Sequence, residues 1–147
     1  MKSETFKNFF KIALFPLAVY IVNDLICRVS FSWYEMNNVD TYIHFIGGLS
    51  IAFSINNALT VLEKENLLVI KRKLVKVFFI VAAVAFVAVL WEIYEFTWDL
   101  NFGTHLQPSN FDTIKDLIMG TLGGLLFCFH YIITKPKTKA DINKKNG

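Results

Sequence analysis

Residues 77–98 read VFFIVAAVAFVAVLWEIYEFTW, an apolar run whose only charges, Glu92 and Glu95, fall near its end. A helix rises ~1.5 Å per residue, so a run of this length crosses the ~30 Å hydrocarbon core of a bilayer. It is apolar all round for its first turns, as a helix surrounded by lipid must be. Working outward, Phe9 to Cys27, Tyr42 to Leu62 and Leu117 to Thr134 have similar length and character. The expected fold is all-α, a four-transmembrane-helix bundle. It forms a single transmembrane domain over residues 1–134, followed by a basic tail at 135–147.

The first segment is the least regular, broken by Lys11, Pro16 and the Asn23-Asp24 pair. Lys2, Lys7 and Lys11 ahead of an apolar stretch also suit a signal peptide, with Ser30-Phe31-Ser32 as a poor cleavage site. Asp24 inside the stretch, and no small-x-small pattern at its end, favour a retained helix kinked at Pro16.

The composition is 54% apolar and 16% aromatic, and the net charge is +3. The cations stand in short clusters beside apolar runs, which marks membrane flanks and argues against nucleic acid. Cys27 and Cys128 lie in different segments without metal-type spacing and read as structural thiols.

Thirteen of the fifteen Lys and Arg residues lie in the amino-terminal tail, in the connection from Glu63 to Lys76, or in the tail after Thr134. Only Arg28 and Lys115 lie in the other two connections. By the positive-inside rule both termini are expected to be cytoplasmic, in a multi-pass protein of the cell membrane. Trp33, Trp91 and Trp98, with Tyr34 and Tyr94, then form an outer aromatic belt. The tail from Lys135 reads as a disordered end that touches anionic headgroups.

With this orientation, Asp24, Glu35, Asp40, Glu92, Glu95, Asp99, Asp112 and Asp116 fall on the outer side, without a matching set of cations. Glu4, Glu63, Glu65 and Asp141 fall on the other. Asp40 and His44 are four apart, Glu92 and Glu95 three apart, Asp112 and Asp116 four apart. Such spacings put each pair on one helix face. The same faces continue into small residues: Gly48 below His44, Ala88 and Ala85 below Glu92, Gly120 and Gly123 below Asp116. Small residues let membrane helices approach closely, so three helices should bring five carboxylates and one imidazole together. Glu92 lies ~24 Å of helix beyond Lys76, inside the outer leaflet, where an acid must face an interior or a wet cavity. Clustered carboxylates then need shared protons or bound cations. Oxygen donors plus one histidine suit a divalent metal: Mg, Mn, Ca or Zn. The candidate ligands are Asp40, His44, Glu92, Glu95, Asp112 and Asp116, an arrangement akin to di-metal sites in helical bundles.

Plainer roles exist for the same residues. Asp40 and Asp112 stand where helix N-caps belong. The deeper four, His44, Glu92, Glu95 and Asp116, can be structural hydrogen-bonding groups. His105, in the loop 101–111, is either solvated or folded over the cluster, and His130 lies toward the inner half as a packed or interfacial ring. Gly47-Gly48 and Gly123-Gly124 lie inside helical runs, so packing rather than phosphate binding explains them.

Taken in order, Asp40-x-x-x-His44-Phe45-x-Gly47-Gly48, Trp91-Glu92-x-x-Glu95 and Asp112-x-x-x-Asp116-x-x-x-Gly120 resemble the VanZ-like and YjdF-like small bacterial membrane proteins. The resemblance covers about residues 40–127. Glu95 stands where the VanZ-like pattern tends to Gln, and Asp116 where it tends to Asn, so the likeness is closer to the YjdF-like branch. It implies the architecture and the site, not a glycopeptide-resistance activity.

The expected function is a small envelope membrane protein whose outward-facing carboxylate and histidine site binds a cation or a lipid headgroup. One alternative is a metal-dependent hydrolase or transferase on lipid-linked substrates, with Glu92 or Glu95 as general base. Against it, the deep cluster has no Ser, Cys or second His to act as nucleophile or leaving-group acid, and the outer side is poor in Arg and Lys to hold a phosphate. Another is a proton- or cation-coupled transporter component, for which Asn56 and Asn57 are the deep polar candidates of the inner half and a homo-oligomer would be needed.

Overall fold

The computed structural model describes residues 3–30, 33, 36 and 38–134, the side chains of residues 3–9 excepted. Lys2, the Phe31-Ser32 pair, Tyr34, Glu35 and the basic tail at 135–147 lie outside the described residues. The chain forms α1 (Ser3–Val29), α2 (Val39–Lys64), α3 (Lys73–Phe102) and α4 (Asn110–Thr134). All four are long and apolar enough to cross a membrane, and the protein is a multi-pass, all-α bundle. Each helix outruns its apolar core. α2 begins at Val39 and α4 at Asn110, so Asp40, Asp112 and Asp116 are all helical.

The buried residues of α3 recur almost every fourth position: Lys76, Ile80, Val84, Ala88, Glu92 and Glu95. This stripe is the face that α3 turns inward, and Phe78, Phe86 and Ile93 project outward as a lipid-facing surface. Ala88 lies below Glu92 as expected. The next turn is held by Val84, with Ala85 only half-buried. On α4 the corresponding stripe is Asp116, Gly120, Gly123-Gly124 and Cys128.

α2 and α4 meet most closely. A Cβ at Gly48 would collide with the Gly120 carbonyl, and one at Gly123 with the Phe45 carbonyl. With little hydrophobic drive between helices in lipid, such backbone approach supplies the packing energy. Gly124 accommodates Val84 of α3, which closes the three-helix contact. Ala52, Ile80, Val84 and Cys128 form a dry core in the half of the bundle toward the α2–α3 connection.

The backbone of α1 approaches α2 alone, while Tyr20 reaches Trp91 of α3 through its ring. No described Cα of α1 lies within 8 Å of one in α3 or α4. Pro16 sits inside α1 and has no N–H to offer the Ile12 carbonyl one turn back. Ser54 of α2 fills the gap, its hydroxyl donating to the Ile12 oxygen at 2.8 Å. A carbonyl freed in hydrocarbon needs such a donor.

The α2–α3 connection corrects one expectation. Lys76 is no free flanking cation; it is buried, and its ammonium donates to Glu63 at 2.6 Å and to Thr60 at 3.0 Å. Lys73 donates to the Ile132 carbonyl at 2.9 Å, a cation against the last turn of α4.

Candidate functional site

α2 and α4 start at the end of the bundle where α1 and α3 stop, so two helix N-termini and two C-termini lie there. Carboxylates in a first turn are stabilised by the N-terminal half-charge, which suits Asp40 and Asp112. Neither is the N-cap. Asn38, in the left-handed region at φ 49°, holds that place on α2 without a side-chain bond. On α4 the Ser109 hydroxyl accepts the Asp112 N–H at 3.2 Å and acts as the cap. The two acids are thereby released to point elsewhere.

His44 is the hub. Its Nε2 stands 3.5 Å from Asp40 Oδ1, and its Nδ1 stands 3.8 Å from Glu92 Oε1. Both separations are too long for good hydrogen bonds. Ligand atoms gather in three overlapping sets, each within 4.8 Å: Asp40, His44 and Glu95; His44, Glu92 and Asp116; Asp40, Asp112 and Asp116. All six sequence candidates therefore stand together at one end of the bundle.

The middle set is the most enclosed. His44, Glu92 and Asp116 are all buried, Asp116 to 1% exposure. His44 Nε2, Glu92 Oε1 and Asp116 Oδ1 are each buried with no hydrogen-bond partner in the protein. Leaving one such atom unsatisfied costs ~1–3 kcal/mol, and more where the group is charged. Each of α2, α3 and α4 thus brings one such atom to the cluster, where buried polar groups ordinarily have a partner.

The surrounding groups orient these acids. The Gln107 amide Nε2 donates to Glu92 Oε2 at 2.9 Å and leaves Oε1 toward His44. Trp91 Nε1 donates to Glu95 Oε1 at 2.7 Å. Lys115 binds Asp112 at 2.6 Å and stands 3.9 Å from Asp116 Oδ1. Arg28 binds Asp24 at 2.8 Å. Arg28 and Lys115 are thus each paired with an acid, and Asp24 and Asp112 are matched after all.

Gln107 gave no signal in the sequence, because the α3–α4 loop positions it. Gly103, at φ 63°, ends α3 with its N–H on the Asp99 carbonyl at 2.9 Å, a left-handed cap that favours glycine. The Asp99 carboxylate then accepts the Thr104 hydroxyl and the N–H groups of Leu106 and Gln107. Asp99 therefore folds the loop and is not part of the acidic cluster. His105 is exposed on the rim of a cavity above the cluster, while His130 is exposed on α4.

Fold and site together define a small four-helix membrane protein with a buried carboxylate–imidazole cluster at one end. The chain belongs to the family described as "Predicted membrane protein (DUF2238)", whose model matches residues 11–136. No curated protein and no solved structure matches it.

Proposed function

We propose that this protein is a cation-binding module of the cell envelope, with a divalent metal held by His44, Glu92 and Asp116 at the outward end of the bundle. The three buried, partnerless atoms on α2, α3 and α4 carry this reading. Ligands bonded at about 2.0–2.2 Å to one ion stand roughly 3–4 Å apart; the ligand atoms of this set lie within 4.8 Å of one another, with His44 Nδ1 3.8 Å from Glu92 Oε1. Two carboxylates against a divalent ion also leave the buried centre neutral, which removes the cost of burying the acids. An imidazole among oxygen donors favours zinc or manganese over magnesium or calcium.

Asp40, Glu95 and Asp112 form the outer shell of carboxylates in this account. Glu92 has one oxygen on Gln107 and the other on the metal, which leaves Glu95 as the only candidate base and favours binding over catalysis. The dry core of Ala52, Ile80, Val84 and Cys128 lies between the site and the basic end, which favours a bound ion over a transported one. The outward orientation follows from the basic α2–α3 connection at the opposite end.

Elemental mass spectrometry of the detergent-purified protein tests the proposal, run beside a His44→Ala, Asp116→Asn double variant. A divalent metal near one per chain in the native protein, and lost in the variant, is the expected result. Absence of metal from both, or equal metal in both, overturns it.

A further inference from the structure

We propose that the α1–α3 side of the bundle is a binding site for a phospholipid bearing a primary ammonium headgroup. The acyl chain would occupy an apolar slot between the helices, and the ammonium an aromatic and acidic chamber above it. This goes beyond the cation reading and does not require the triad to hold a metal.

Two adjoining cavities carry the inference. The lower, about 350 Å³, lies between α1, α2 and α3 and is walled by Leu17, Ile43, Ile51, Val84, Val87 and Ala88. Gly47 lies on its wall, where an added Cβ would meet nothing within 4 Å. The upper, about 590 Å³, lies over the outer carboxylates. Both volumes are those of sites that hold small molecules, ~300–1,000 Å³. Tyr20 and Trp91 line both, so the two chambers adjoin along these rings, an apolar one beside a polar one.

Access is lateral. α1 and α3 have no close backbone approach, and Tyr20 and Trp91 bridge them by an edge contact with ring centroids 5.7 Å apart. A molecule already in the bilayer can enter there without crossing water. An apolar slot of this kind, open to lipid, is filled most directly by a lipid chain.

The upper chamber specifies the headgroup. Tyr20, Trp91, Tyr94 and Trp98 make a continuous wall of rings, with neighbouring centroids 5.7, 5.8 and 5.6 Å apart. Aromatic faces attract ammonium groups, and a wall of several is the usual receptor for them. Asp24, Asp40, Glu95 and Asp112 also line the chamber, against Arg28 and Lys115. By formal count the lining is thus more acidic than basic, with His44 also 3.5 Å from Asp40, and a cationic headgroup complements it.

The test reconstitutes the full chain with equimolar phosphatidylethanolamine and phosphatidylglycerol, extracts it in mild detergent and quantifies retained lipid by mass spectrometry. The native protein is expected to retain phosphatidylethanolamine several-fold over phosphatidylglycerol. Gly47→Leu and Leu17→Trp, which fill the slot from different helices, should both abolish retention. Trp98→Leu should keep a lipid but lose the preference. Equal retention of the two lipids by the native protein overturns the ammonium assignment. Undiminished retention in either folded slot variant overturns the chain assignment. Metal analysis of the same samples separates the two proposals. Metal without retained lipid sinks this one alone, and lipid without metal sinks only the cation reading.

Discussion

Gly47 and Gly48 are adjacent on α2, yet replacing each with alanine should have opposite effects. At Gly47 a methyl enters open space, and exchanging glycine for alanine in a helix is worth about 0.5–1 kcal/mol of stabilisation. At Gly48 the methyl falls on the backbone carbonyl of Gly120, which cannot rotate away as a side chain could. α2 and α4 must then separate by an amount on the order of 1–2 Å to restore van der Waals contact, at a cost of ~1–3 kcal/mol for overpacking. His44 and Asp116 lie one turn beyond Gly48 and Gly120, so the separation is passed to the triad. Metal sites tolerate ligand displacements of only about 0.2 Å. Gly48→Ala should therefore lose bound metal although no ligand has changed. Thermal or denaturant unfolding in detergent, with metal content measured on the folded fraction, reads both quantities. A Gly48→Ala protein as stable and as metal-loaded as Gly47→Ala would refute the close-packing argument.

Three other substitutions probe separate parts of the account. Ser54→Ala removes the donor to the Ile12 carbonyl and should cost about 0.6–1.7 kcal/mol; in a Pro16→Ala background, where α1 regains its own N–H, the cost should vanish from the unfolding curve. Gln107→Ala frees Glu92 to rotate and should weaken metal binding by roughly 10–100-fold in competition with a chelator, with the helical circular dichroism unchanged. Lys76→Met leaves Glu63 without its ammonium and should cost about 1–2 kcal/mol, below the ~3–5 kcal/mol of a fully buried pair because Glu63 is 29% exposed. Adding Glu63→Gln should recover most of that loss in the same unfolding assay.

The helices were legible because lipid demands long apolar runs, and Val77 to Trp98 has no other reading. The glycines were legible too. Gly48, Gly120 and Gly123 continue the faces of His44 and Asp116, and the structure places them at the α2–α4 contact. What escaped the sequence was tertiary in origin. Lys76 looks like any flanking cation until Glu63 and Thr60 fold back over it. Asp40 and Asp112 stand at plausible cap positions, but Asn38 and Ser109 take those places, and only the helix starts reveal it. Gln107 reaches Glu92 through a loop that Asp99 and Gly103 shape, 15 residues further along the chain. Periodicity within one helix carries no information about such a return. The lateral opening beside α1 was equally invisible, since an apolar helix reads the same whether it packs on one neighbour or three.

The central claim is that one imidazole and carboxylate oxygens of three helices hold a divalent ion. X-ray absorption at the zinc edge, on protein loaded with zinc in detergent, tests it most directly. The account predicts a nitrogen and oxygen shell at about 2.0–2.2 Å with one imidazole contribution that disappears in His44→Ala. A sulfur shell near ~2.3 Å, or a spectrum unchanged by His44→Ala, would contradict it.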